Sequence, residues 1–191
     1  MKTFWVIGIA ITVGLSAHAE ECYVTVYVHT SLSANAMLLR AEIQAVAMFR
    51  EIDVEVRFRN DAVRANSASN GCGAPIVMEL DATARLRVSP AALAYATPYA
   101  KSGTCIYVLM DRVAGGPNPS FETVLLAHVM AHEITHVLER IDRHSPDGVM
   151  KAHWDSRDKE IMKSHYLPFA AIDVELIHAG IAQRIQPAVT E

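Results

Sequence analysis

The chain has 191 residues and a mass of 20.9 kDa, with 51% hydrophobic and 20% charged residues, so it can bury a core of ordinary domain size and is not a disordered segment. A formal net charge of −4 leaves no basic excess to neutralise phosphates, which excludes a protein held to nucleic acid by its overall charge. The histidines are nine, and it is their clustering that carries information.

Residues 1–19 read as an address. Met1-Lys2, an apolar run from 4 to 15, and Ser16-Ala17-His18-Ala19 before Glu20-Glu21 make up a secretory signal peptide cut after Ala19. The run is shorter than the ~20 residues that span a bilayer. The expectation is therefore one domain over 20–191, secreted or periplasmic, with no membrane contact after cleavage. Export permits disulfides, and Cys22, Cys72 and Cys105 allow one bridge within the chain. Cys72 in its Gly-rich turn and Cys105 at the head of an apolar run are the expected pair, with Cys22 free or as the alternative partner. Their spacing matches no cysteine-based zinc motif.

In chain order, residues 23–29 (Y-V-T-V-Y-V-H) are β-branched and aromatic and predict a buried strand. Ser33 caps a helix to about Phe49, with Met37, Ala41, Ala45, Met48 and Phe49 at helical spacing. Residues 54–58 alternate apolar and charged, as in a half-exposed strand, and 60–73 are a polar loop. Strands follow at 76–80 and 105–113, with an unassigned Ala-rich stretch at 82–102. Asn118 as cap and Pro119 at the first helical position start a long helix to about Arg140. A last helix spans about 169–185. The order fits one α+β domain, a small mixed sheet packed on the long helix.

Inside that helix lies His132-Glu133-Ile134-Thr135-His136. Two histidines at i and i+4 share one helical face, so their imidazoles can grip one Zn²⁺ without backbone rearrangement. Glu133 lies about 100° round the helix, beside the metal, where a carboxylate acts as general base. A third ligand follows at His144, with Asp142 as a competitor. After His144 comes Ser145-Pro146-Asp147-Gly148-Val149-Met150, a tight turn ending in a Met.

With these residues the chain resembles the metzincin clan of zinc peptidases, as a small exported bacterial member; the likeness is best over roughly 124–155. The resemblance implies His132, His136 and His144 as zinc ligands, Glu133 as base and Met150 as the Met of the turn beneath the metal. The clan's usual spacing puts a Gly where Glu139 stands and the third ligand at Asp142. His144 is preferred because it opens the segment leading straight into the Met turn. In the small bacterial set a Gly follows a longer helix, at the position of Arg140, which would then have to adopt a left-handed backbone at some cost.

The function expected is a zinc-dependent metalloendopeptidase, a hydrolase acting on a peptide or protein substrate, with no nucleic-acid partner and a monomeric chain. By resemblance, an edge of the 105–113 strand binds extended peptide. The alternative is an exported zinc-binding protein without turnover that docks a partner. His153 and Trp154 are candidate cleft residues, Tyr166 a candidate oxyanion donor, and His128 a packing residue or a hydrogen-bond partner of the ligands. His29, His165 and His178 read as ordinary surface or core residues, and Met37, Met48, Met78 and Met130 as core filler.

Overall fold

A computed structural model of the chain describes residues 22–30, 36–60, 72–80, 89–97 and 104–185. The expected signal peptide, the Ser33 cap and most of the 60–73 loop lie outside them. Strand β1 (Val24–His29) forms where a buried strand is expected, with Val24, Val26 and Val28 on one buried face. Helix α1 (Ala36–Arg50) buries Leu38, Ala41, Ala45, Met48 and Phe49 as one stripe. Strands β2 (Val56–Arg59), β3 (Ile76–Leu80), β4 (Ala94–Thr97) and β5 (Cys105–Val108) complete a sheet of order β2-β1-β3-β5-β4. All pairings are parallel except that of the edge strand β4 with β5. Ile76, Met78, Ile106 and Val108 join the buried residues of α1 and of the long helix in one core.

That long helix, α3 (Pro119–Glu139), begins as read: the Asn118 side chain accepts from Phe121 N at 3.2 Å, with Pro119 at the first helical position. From Leu125 to Glu139 nearly every side chain is buried, which makes α3 the central element rather than a half-exposed one. It ends where Arg140 takes a left-handed backbone (φ 56, ψ 29) and returns its N–H to His136 O. A non-glycine residue in that region costs about 1–2 kcal/mol. Helix α5 (Ala171–Ile185) lies against this end; at Gly180 a Cβ would overlap the Leu138 carbonyl oxygen, so only glycine permits the approach.

Several expectations need correction. The strand expected over 105–113 stops at Val108, and α2 (Met110–Val113) follows as a single helical turn. Met110 and Val113 are buried one turn apart, while Asp111 and Arg112 are turned outward. Arg112 then ties this turn to the carbonyls of Ser89 and Ala92. Strand β4 and helix α4 (Ser156–Met162) were not foreseen. The expected Cys72–Cys105 bridge is not formed: Cys22 pairs with Cys72, Cα atoms 5.1 Å apart, and Cys105 is free. The reason is sheet order. Cys72 N donates to Tyr23 O at 2.8 Å, so Cys72 runs beside the head of β1, whereas Cys105 lies across β3 opposite Val77. Among the described residues no helix is long and apolar enough to cross a membrane.

Candidate metal centre

Helix α3 places His132 and His136 one turn apart, with their Nε2 atoms 3.1 Å from each other. The reversal at Arg140 carries the chain back so that His144 meets them. Its ring centroid lies 5.3 Å from that of His132 and 5.0 Å from that of His136. One ligand atom from each of the three histidines falls within 4.8 Å of the others, a group able to hold a metal ion. Asp142 is not in that group. It is exposed, lines the same cleft, and acts on its neighbours through charge alone.

The donor set suits zinc. His132 Nδ1–H donates to Val149 O at 2.8 Å, which leaves Nε2 as the free lone pair. His136 Nδ1 lies 3.4 Å from Ile141 O, a looser version of the same arrangement. Nitrogens at tetrahedral corners about 2.0–2.1 Å from zinc are separated by about 3.3 Å, close to the spacing of the two Nε2 atoms here. Burial, then the neighbouring His136, pulls the His132 pKa down to about 4, and burial and His144 lower that of His136. Both rings are thus neutral at physiological pH, the state a metal requires.

Glu133 is buried, and its pKa is pushed up to about 8, first by burial and then by the Asp142 carboxylate. Met150 is fully buried; its carbonyl accepts from Ser145 N at 2.8 Å, and the preceding Val149 carbonyl is the one that orients His132. At Gly148 (φ 74) a Cβ would strike the Pro168 carbonyl, so the turn needs glycine for its close approach as well as its backbone.

These groups open into a cleft of about 890 Å³ lined by Leu93, by Ala94–Ala96 of β4 and by Lys151–Trp154. The peptide edge expected on 105–113 is therefore displaced: β5 is interior to the sheet, and the edge beside the histidines is β4. His153 and Trp154 line the cleft, and the Trp154 ring stands edge-on to His132 at 5.7 Å. His128 instead pins the fold, with Nδ1–H donating to Val124 O at 2.8 Å and Nε2 accepting from Leu167 N at 3.1 Å. Tyr166 lies against His128, at 6.3 Å between ring centroids, and is not part of the cleft wall.

Sequence reasoning did not find a buried polar group behind His144. The fully buried Asp173 accepts at Oδ1 from Arg143 Nη1 and from Ser145 Oγ, both at 2.6 Å. Glu139, where the clan's usual spacing has Gly, is buried here and faces Arg143 at 3.3 Å. Burial and the nearby Asp173 raise its pKa to about 7 against the pull of Arg143. The one local signal was an acid in the first turn of α5, which also reads as simple helix capping.

No family model matches the chain, and no curated protein matches it by sequence. Among solved structures its fold is similar to that of archaemetzincin from Methanopyrus kandleri. The TM-score is 0.53 at 15% sequence identity, covering 87% of this chain and 99% of that one. At that identity the likeness is one of fold, a mixed five-stranded sheet with its helices arranged as in archaemetzincin.

Proposed function

We propose that the chain is an exported zinc-dependent peptidase that hydrolyses peptide bonds, with His132, His136 and His144 as ligands and Glu133 as general base. The observation that carries the reading is the convergence of three imidazole nitrogens within 4.8 Å in an open cleft, next to a buried glutamate on the same helix. A zinc ion held by His132, His136 and His144 would supply an acidified water and Lewis-acid polarisation of a carbonyl. Glu133 takes the proton from the attacking water and delivers it to the departing amine. An extended substrate lies along β4, which among the described residues is the edge of the sheet and offers strand addition. Export is supported by the N-terminal pattern of residues 1–19 and by the Cys22–Cys72 bridge, which belongs in an oxidising compartment.

The test is cleavage of a diverse peptide library by the purified, zinc-loaded chain beside Glu133→Ala. Cuts that vanish in the variant while its zinc content stays near one per chain are expected. Zinc bound with no cuts by the parent chain would favour the non-catalytic, partner-docking alternative. Absence of bound zinc would overturn the site itself.

A further inference from the structure

The third histidine is the least supported of the three by its own backbone. His132 and His136 ride on α3, but His144 follows the left-handed Arg140 in a stretch with no helix, and both it and Asp142 are exposed. A side chain so placed loses considerable conformational freedom when fixed on a metal, and that loss subtracts directly from affinity. Something must hold it in advance.

We infer that Asp173 is the positioning residue for His144: by gripping Arg143 and Ser145, on either side of that imidazole, its carboxylate fixes the third ligand above the His132–His136 pair. This rests on the metal-binding reading above. Asp173 stands in the first turn of α5, where Oδ2 accepts from Ala170 N at 3.0 Å, an ordinary helix-capping contact that uses one oxygen. Oδ1 serves a different purpose, accepting from Arg143 Nη1 and Ser145 Oγ at 2.6 Å each. Arg143 Nη2 donates in turn to Ser145 Oγ at 2.8 Å, closing a ring of three bonds that joins Asp173 to both sequence neighbours of His144. Bonds to charged groups are short and about twice as strong as neutral ones, and burial strengthens them further.

The same support reaches the Met turn. Ser145 N donates to Met150 O at 2.8 Å, and Val149 N to Pro168 O at 2.9 Å, in the stretch that leads into α5. Thus α5, which touches neither His132 nor His136 by any hydrogen bond described, is tied to His144 through both of its neighbours. Glu139 adds a second carboxylate to Arg143, and Gly180 allows α5 to approach closely enough for all of these contacts. Outer residues that orient a metal ligand typically contribute 10–100-fold to affinity.

The experiment measures zinc affinity of the full chain by competition with a chromophoric chelator for the parent, Asp173→Asn, His144→Ala and the double variant. Unfolding curves run in parallel, and cobalt-substituted spectra report the coordination. Asp173→Asn is expected to weaken zinc binding about 10–100-fold. The loss is expected to disappear in the His144→Ala background, because no third ligand is left to position. The cobalt spectrum of Asp173→Asn is expected to move toward that of His144→Ala. An equal loss in both backgrounds, or none, overturns the inference and makes Asp173 a helix cap only. If Asp173→Asn fails to fold, Ser145→Ala removes two of the ring's three bonds but leaves Arg143 on Asp173, and is expected to show a smaller loss with the same dependence on His144; unchanged affinity there overturns the inference. A parent chain that binds no zinc overturns the metal reading itself, an outcome visible before any variant is compared.

Discussion

Replacing Glu133 by Gln in the metal-free chain is expected to stabilise it above neutral pH. The Glu133 carboxyl is buried, and its pKa rises from 4.5 to about 8. Between those values the folded chain keeps a proton that the unfolded chain has released, so stability falls as pH rises through the window and levels off above it. At about 1.4 kcal/mol for each tenfold change in proton activity, the span corresponds to a loss of about 5 kcal/mol. Glutamine has no proton to lose and escapes it. His132 works in the opposite sense on the acid side: with its pKa lowered from 6.5 to about 4, it withholds stability as pH falls through that range. That contribution, like that of Glu139, is common to parent and variant and cancels in their difference. Urea unfolding of both chains with chelator present, at about pH 5 and about pH 9, is expected to show the Gln variant gaining several kcal/mol on the parent between the two. Zinc is expected to flatten the parent's curve, because a cation beside the carboxylate favours its ionised form. A variant that tracks the parent within about 1 kcal/mol across the range would refute the account of Glu133 as a desolvated carboxyl.

Cys22→Ser and Cys72→Ser are each expected to cost about 4 kcal/mol, the loop-closure value for a separation of 50 residues, while Cys105→Ser stays within about 1 kcal/mol. Thermal unfolding under oxidising conditions checks this, and a loss at Cys105 matching the other two would reinstate the pairing expected from sequence. Arg140→Gly is expected to gain about 1 kcal/mol, since glycine adopts φ 56 without strain and the like charge facing Arg184 is removed. An unchanged or lowered melting temperature would show that the left-handed helix end is not under strain. Gly180→Ala is expected to destabilise by about 1–3 kcal/mol or more, because the added Cβ meets the rigid Leu138 carbonyl, and a neutral result in the same assay would contradict the close packing of α5 on α3.

The features legible in the sequence were those written in short-range terms. The Asn118-Pro119 start, the i and i+4 histidines and the glutamate between them all depend on helical geometry over a few residues, while the left-handed end at Arg140 was implied by the family resemblance. The existence of strands β1 and β3 was legible over a few residues too. The reversal after α3 brings the His144 ring, and not the Asp142 carboxylate, into one group with His132 and His136. What remained hidden depends on neighbours distant along the chain. Strand order decided that Cys72 meets Cys22 and not Cys105, and that β4 rather than the 105–113 run forms the edge of the cleft. The raised pKa of Glu133 comes from the packing around α3, which excludes water from a carboxyl that an isolated helix would leave solvated.

Sequence alone therefore determined how His132, Glu133 and His136 are spaced, because a helix fixes the spacing of its own side chains whatever surrounds it. Only the tertiary structure decided how that chemistry is held: Asp173 reaches Arg143 and Ser145 from 30 and 28 residues away, and no local pattern records a contact made by the packing of one helix against the end of another.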